Sequence, residues 1–212
     1  GGYVAAPSAN TSGRPSPTLA KYVMEDMEGR IDMVIDGGDL GIGLESTIVD
    51  LTGEVPEILR PGYITGEMLE EKLGNVETDR TILGTDTEAK PKAPGMKYRH
   101  YAPKGELTLV SGESGDVTDW INKQVLCARE KGLTTGVICT EETKAGYEAD
   151  SIKSAGSRSD EIQIARALYR ILRELDDEKV DVIFAEAFEA KGMGQAIMNR
   201  LLKAAGHHIE YV

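Results

Sequence analysis

The chain has 212 residues, enough for one large domain or two smaller ones, and 36 acidic against 24 basic residues give it a formal net charge of −12. A surface of this charge argues against a nucleic-acid binder and against a partner of anionic membranes. No apolar run reaches transmembrane length and the first residues lack the pattern of a signal peptide, so we expect no membrane association and a cytoplasmic protein.

Residues 1–75 have the pattern of an α/β domain with few strands. Ser16 followed by Pro17 predicts the start of a helix, and Thr65 predicts the cap of a second helix that ends near Leu73. Short apolar or β-branched runs predict strands at residues 1–6, 31–35, 46–51 and 57–59. Because a domain rarely begins inside its own sheet, we expect a further N-terminal portion to precede these residues.

Residues 76–104 lose the periodicity of helices and strands, which predicts an extended linker. With six bases and four acids, they form the only net-positive part of the chain. Residues 91–103 carry four potential cations and two aromatic rings: Lys92, Lys97, Tyr98, Arg99, His100 and Tyr101. The prolines exclude a regular helix or central strand here, and this composition suits a ligand with a phosphate and a base. A solvated basic linker is an equally good interpretation.

Residues 105–212 alternate between strands and helices, which is typical of a doubly wound parallel sheet. Strands are predicted at 107–110, 135–139, 180–184 and 208–212, and helices at 117–131, 160–175 and 195–205. We expect Cys127 and Cys139 to be small core residues in a reducing compartment. Neither they nor His207 and His208 have the spacing of a metal site, so we predict no metal ligand from the protein.

Four motifs offer ligand contacts, and each has a plainer alternative. Residues 8–13 combine hydroxyls, an amide and a glycine after a predicted strand, but an ordinary turn has the same composition. Residues 41–47 carry two glycines and two hydroxyls, a weak signal when taken alone. Arg60 ends a strand, where its guanidinium suits a phosphate but is equally common in an exposed turn. Gly192 and Gly194 come close to a dinucleotide-binding fingerprint, although helix packing explains them better.

Taken in order, these segments resemble the Sua5/YrdC/YciO family. The resemblance rests on the runs APSANTSG (6–13), GLESTIVD (43–50), ILRPG (58–62) and APGMKYRHYAP (93–103). The linker and the run GQAIMNRL (194–201) point to the two-domain Sua5 type. This implies the C-terminal portion of a YrdC-like twisted α/β domain in residues 1–75, a linker that acts as a lid in residues 76–104, and a Rossmann-like parallel-sheet domain in residues 105–212.

The same resemblance implies a nucleotidyltransferase, threonylcarbamoyl-AMP synthase. Such an enzyme converts L-threonine, bicarbonate and ATP, with Mg²⁺, to L-threonylcarbamoyladenylate and pyrophosphate. A downstream threonylcarbamoyl transferase machinery uses the product to form t6A at position 37 of tRNA, and direct contact of this chain with tRNA is left open.

The resemblance also assigns site residues, while catalytic side chains stay unassigned. The implied ATP-binding residues are Ser8, Asn10, Ser16, Arg60 and Tyr101. The implied threonine-binding residues are Ala6, Ser46 and Thr47. The implied lid residues are Tyr98, Arg99 and His100.

The chain departs from the family pattern in one respect. The family's Lys-x-Arg pair, which contacts the ATP phosphates, has no counterpart at an equivalent place, since Lys97 and Arg99 have the spacing but belong to the linker. We therefore expect this chain alone to have little or no synthase activity. The alternative is a non-catalytic nucleotide- or partner-binding module.

Overall fold

The structure is a computed structural model that describes residues 2–79, residue 82 and residues 101–212. Its helices are α1 (Ala20–Met27), α2 (Gly66–Leu73), α3 (Ser114–Glu130), α4 (Glu161–Asp177) and α5 (Gly192–Ala204). Its strands are β1 (Ile48–Asp50), β2 (Glu57–Arg60), β3 (Glu77–Thr78), β4 (Glu106–Ser111), β5 (Thr135–Cys139), β6 (Ser151–Ser154), β7 (Val182–Glu186) and β8 (Ile209–Tyr211).

The C-terminal strands form a five-stranded sheet in the order β6-β5-β7-β4-β8, in which every pair is parallel. Apolar side chains of α3 pack on one face with Val110, Val137 and Phe184. Those of α4 and α5 pack on the other face with Leu107, Leu109 and Ile183. This confirms the predicted α/β class and the doubly wound parallel sheet.

The ends of the C-terminal helices follow from local chemistry. The Asp160 carboxylate accepts a hydrogen bond from the Gln163 amide at 2.9 Å and so caps α4. Gly206 ends α5 with φ +60°, a conformation that disfavours other residues. A side chain at Gly194 would place its Cβ 2.0 Å from the Glu189 carbonyl oxygen, which confirms a packing role for this glycine.

The predicted strands at residues 1–6 and 31–35 are wrong. Residues 2–9 and 31–35 have no regular secondary structure, and Tyr3, Met33 and Ile35 are largely exposed. A strand requires a neighbour for its backbone hydrogen bonds. The small N-terminal sheet has the order β1-β2-β3, with β1 antiparallel to β2, and gives neither segment a neighbour.

Two further predictions need correction. Ser16 does not cap α1, because the helix begins at Ala20 and the Ser16 hydroxyl donates to Glu45 instead. Cys127 is exposed, because the buried stripe of α3 consists of Val117, Ile121, Val125 and Ala128. Cys139 is buried in β5 as predicted. Thr65 caps α2 as predicted by accepting from the Met68 amide at 3.3 Å.

The strands β3 and β6 were not predicted from sequence. Both are short and neither has a buried residue, so they lack the apolar alternation that identifies a strand. Among the helices of the described ranges, none is long and apolar enough to cross a membrane. The domain boundaries after residues 75 and 104 stay predictions.

Candidate functional site

The end of β2 reaches back to the loop that precedes β1. Arg60 donates from Nε and Nη2 to the Ser46 carbonyl oxygen, at 3.1 and 3.0 Å, and from Nη2 to Ser46 Oγ at 3.3 Å. Thr47 Oγ1 donates to the carbonyl oxygen of Ile64 at 2.6 Å. The structure therefore joins Arg60, the predicted ATP residue, directly to Ser46, the predicted threonine residue.

Two glycines fix the path of the loop formed by residues 43–47. A Cβ at Gly43 would lie 2.3 Å from the carbonyl oxygen of Ala165 in α4. A Cβ at Gly62 would lie 2.4 Å from the carbonyl oxygen of Glu45. Only glycine permits such close backbone contacts, so the loop lies directly between α4 and the turn that follows β2.

Glu45, in the same loop, is the centre of a group that we call the Glu45 cluster: Ser16, Glu45, Tyr169 and Arg200. Ser16 Oγ donates to Glu45 Oε1 at 2.8 Å. The Tyr169 hydroxyl in α4 lies 3.0 and 2.8 Å from Oε1 and Oε2, and Arg200 Nε in α5 donates to Oε2 at 2.8 Å. The cluster thus ties the predicted ATP residue Ser16 to α4 and α5 of the C-terminal domain.

The cluster is an ion pair shielded from water. The Arg200 side chain has no exposed surface and that of Glu45 is 13% exposed. Burial alone would raise the pKa of Glu45, but the charge of Arg200 and its hydrogen bond lower it below the usual value. Burial and the neighbouring carboxylate raise the pKa of Tyr169 well above its usual value. Glu45 is therefore charged and Tyr169 neutral at physiological pH.

Tyr101, at the end of the linker, packs on this cluster. Its side chain is buried, its backbone has φ +62°, and its ring centroid lies 5.3 Å from that of Tyr169. The Arg200 guanidinium lies 5.7 Å from the Tyr101 ring centre. Burial and the Glu45 carboxylate raise the pKa of the Tyr101 hydroxyl above its usual value, although the charge of Arg200 and a hydrogen bond with Arg60 oppose the rise. Tyr101 therefore stands between Arg60 and the Glu45 cluster.

The next linker residue reaches the N-terminal turn. Ala102 donates its amide to the Gly13 carbonyl oxygen at 3.2 Å. Within that turn, Asn10 Nδ2 donates to the carbonyl oxygens of Thr11 and Arg14, whereas its buried Oδ1 has no partner among the described residues. The turn thus leaves one acceptor of Asn10 for a ligand or water.

A second buried ion pair holds this turn to α4. Arg173 donates to both carboxylate oxygens of Asp26, at 3.1 and 2.7 Å, and to the Pro15 carbonyl oxygen. Asp26 also accepts from the Thr11 amide at 3.1 Å and from the Arg14 guanidinium. Burial opposes the charge of Asp26, yet these hydrogen bonds lower its pKa below the usual value.

The contacts above link five of the predicted site residues near the start of β1: Ser16, Ser46, Thr47, Arg60 and Tyr101. Asn10 lies in the N-terminal turn, which the Ala102 amide joins to the linker. Ala6 and Ser8 lie in the exposed stretch before the turn, and the described residues give them no hydrogen bond to this group. Tyr98, Arg99 and His100 lie outside the described residues. No group of three or more metal-ligating side chains occurs in the ranges that the structure describes.

Sequence reasoning did not single out four residues of this site: Glu45, Tyr169, Arg173 and Arg200. Glu45 and Arg200 were in the quoted runs GLESTIVD and GQAIMNRL, and their place in these family-like runs was the available signal. Tyr169 and Arg173 lie four residues apart in α4, and only the fold shows that they face the N-terminal segment.

Comparisons with known proteins identify the family that this chain resembles. A family model for the C-terminal domain of threonylcarbamoyl-AMP synthase matches residues 64–206. A model for the Sua5, YciO and YrdC proteins, described as telomere recombination, matches residues 1–62. The threonylcarbamoyl-AMP synthases of Bacillus subtilis and Pyrococcus abyssi are 44% and 45% identical to this chain over 206 residues.

Each of these alignments covers 97% of this chain and 58% of the relative, so the chain spans little more than half the length of the relatives it matches. A crystal structure of Pyrococcus abyssi Sua5 complexed with L-threonine superposes with a TM-score of 0.86. Its sequence is 42% identical, and the match covers 97% of this chain and 58% of that one.

Proposed function

The chain belongs to the Sua5 family, and on that premise we propose that it works in threonylcarbamoyl-AMP synthesis. The reaction joins L-threonine, bicarbonate and ATP to form threonylcarbamoyl-adenylate and pyrophosphate. The product would supply a threonylcarbamoyl transferase that forms t6A in tRNA, in the cytoplasm. Since the chain spans 58% of its relatives' length, the activity is proposed for the complete gene product that contains it.

The observation that carries the proposal is the contact between Arg60 and Ser46. By resemblance, Arg60 binds ATP and Ser46 binds threonine, and the guanidinium donates to both the carbonyl and the hydroxyl oxygen of Ser46. A reaction between threonine and an activated phosphate requires the two substrates to be adjacent. A relative solved with L-threonine supports the amino acid as the second substrate.

The remaining site residues have roles that suit their chemistry. Ser8 would donate a hydrogen bond to ATP. Both protons of Asn10 Nδ2 and the hydroxyl proton of Ser16 are already donated within the chain, so these two residues would contact ATP as acceptors, Asn10 through Oδ1. Ala6 and Thr47 would line the threonine site beside Ser46. Tyr101, together with Tyr98, Arg99 and His100, would form the lid over the nucleotide. Magnesium would enter bound to ATP, and it would neutralise phosphate charge while the protein orients the substrates.

The test is the release of pyrophosphate by the complete gene product, measured with all three substrates and with each left out in turn. We expect release that requires threonine, bicarbonate and ATP together. Mass spectrometry of the product should show threonylcarbamoyl-adenylate. Pyrophosphate release that does not depend on threonine would contradict the proposal, and nucleotide binding without turnover would favour a non-catalytic binding module.

A further inference from the structure

We propose that Arg200, through Glu45, is a positioning residue by which the C-terminal domain holds the substrate loop in its reactive geometry. The loop is residues 43–47, and Arg200 lies in α5 of the parallel-sheet domain. This inference rests on the proposed function, because it concerns the site at which ATP and threonine would react. It gives the C-terminal domain a part in that reaction.

The first step of the argument is the geometry of the pair. Glu45 accepts from Arg200 Nε at 2.8 Å and from the Tyr169 hydroxyl at 2.8 Å, so two helices fix one carboxylate. Arg200 is itself oriented, because its Nη1 donates to Asn199 Oδ1 at 3.0 Å. A carboxylate held from two sides has little freedom, and the backbone that carries it is restrained as well.

The second step is what this carboxylate adjoins. Glu45 directly precedes Ser46, and its Oε1 accepts from the Ser16 hydroxyl at 2.8 Å. The Arg200 guanidinium also lies 5.7 Å from the ring of Tyr101, near the end of the lid. One arginine therefore restrains, directly or through Glu45, residues assigned to threonine, to ATP and to the lid.

The third step separates this role from plain adhesion between the two parts of the chain. The pair formed by Arg173 and Asp26 also crosses between them and is equally buried. The Arg173–Asp26 pair can therefore hold the N-terminal part to the C-terminal domain at a place away from the substrate loop. The Glu45 cluster instead lies next to Ser46 and Arg60, and Arg200 Nη2 is buried without a hydrogen-bond partner in the described ranges. A buried guanidinium with an unused donor is costly, which suits a role in function more than in stability.

The experiment compares Arg200→Met, Arg200→Lys and Glu45→Gln with the wild-type complete gene product in steady-state pyrophosphate release. Arg200→Met should lower kcat/KM by about 100-fold, because a misplaced substrate loop loses alignment of the reactants. KM for both threonine and ATP should rise, since Glu45 adjoins residues assigned to each. Arg200→Lys keeps the charge and should recover part of the loss in kcat/KM. A double variant that combines Arg200→Met with Glu45→Gln should have a kcat/KM no lower than that of the poorer single variant.

The matched control is Arg158→Met, which removes the charged partner of the buried Glu186 of β7 and leaves its hydroxyl donors in place. It should lower the melting temperature and leave both KM values unchanged. If Arg200→Met does not fold, the kinetic constants of Glu45→Gln test the positioning role. Glutamine has the shape of glutamate, and its amide oxygen can still accept a hydrogen bond from the Tyr169 hydroxyl. Normal kinetic constants in folded Glu45→Gln and Arg200→Lys, or the same change in Arg158→Met, would overturn the inference.

Two different measurements distinguish failure of the proposed function from failure of the positioning role. A wild-type protein that releases no pyrophosphate would refute the function, and hydrogen exchange would then test the positioning role by itself. Glu45→Gln should speed amide exchange in residues 43–47 while that of β4 and β7 stays slow. Unchanged exchange in the loop would refute the positioning role.

Discussion

At the scale of single residues, the contact between the N-terminal segment and the C-terminal domain is made by charges that water does not reach. Arg173, Asp26 and Arg200 have almost no exposed side-chain surface, and Glu45 has little. Such pairs are weak evidence for stability, because their desolvation offsets most of their attraction. They restrict geometry instead, because removing one partner leaves an uncompensated buried charge, which is strongly destabilising.

Lys203 illustrates the free-energy cost of burying charged side chains at this contact. It lies one helical turn after Arg200 and is buried. Burial, together with the charges of Arg200 and Arg60, lowers the pKa of Lys203 from 10.5 to about 8, and Glu45 only partly opposes this. In the unfolded chain the amine returns to its ordinary pKa, so folding requires a charged amine to be buried at neutral pH.

We therefore predict that Lys203→Met stabilises the protein at pH 7 by up to about 3 kcal/mol. Between pH 8 and 10.5 the unfolded chain binds the proton that the folded chain releases, so wild-type stability from this residue rises with pH across that window. The variant should lack this rise, so the difference in stability between the two proteins should shrink progressively from pH 8 to pH 10.5. Urea unfolding at pH 7, 9 and 10 measures both effects. A variant less stable than wild type at pH 7 would show that the amine has a favourable partner.

At the scale of elements, the substrate loop depends on glycine for its contact with α4. The sequence offered the glycines of residues 41–47 only as a weak ligand signal, whereas the structure shows that Gly43 makes a close backbone contact with α4 and that Gly62 makes one with Glu45. The strand β1 that follows has only three residues and one partner strand. Its position therefore depends on these loop contacts more than on the sheet.

The prediction at this scale is that Gly43→Ala pushes the loop away from α4. The new Cβ would lie 2.3 Å from the Ala165 carbonyl oxygen and 2.5 Å from the Arg166 Cα, and backbone atoms cannot give way as a side chain can. We expect a loss of about 1–3 kcal/mol in the free energy of unfolding. Gly41→Ala is the control, because its Cβ meets nothing within 4 Å. Equal unfolding curves for the two variants would contradict the close contact.

At the scale of the whole molecule, the C-terminal domain was predictable apart from β6. In the N-terminal part β1, β2 and α2 were predictable, but the strands expected at residues 1–6 and 31–35 were wrong. Residues 105–212 contain their own strand partners, so apolar runs bounded by caps and glycines gave the parallel sheet directly. In residues 1–47 the apolar run 31–35 has the composition of a strand but no neighbour to pair with. The linear motifs indicated Arg60 and Ser46 as site residues, whereas Tyr169, Arg173 and Arg200 join the site only through folding over more than 120 residues of separation.

Because the C-terminal sheet contains its own strand partners, we expect it to stay folded when the Arg173–Asp26 pair to the N-terminal part is removed. In Arg173→Met, Asp26 stays buried with only the Thr11 amide and the Arg14 guanidinium as donors. The Pro15 carbonyl oxygen also loses two hydrogen-bond donors. Breaking a buried pair in this way costs about 3–5 kcal/mol. Because the five-stranded sheet makes none of these contacts, amide exchange should speed up in residues 10–30 while β4, β5 and β7 stay protected.

Arg170→Met is the control for that experiment. Arg170 lies on the same helix, but its pair with Glu174 is half exposed and is expected to contribute at most about 0.5 kcal/mol. Hydrogen exchange followed by mass spectrometry should therefore show the control as indistinguishable from wild type. Faster exchange throughout residues 105–212 in Arg173→Met would instead mean that the two parts fold as one cooperative unit, so that the N-terminal segment supports the sheet as much as the sheet supports the segment.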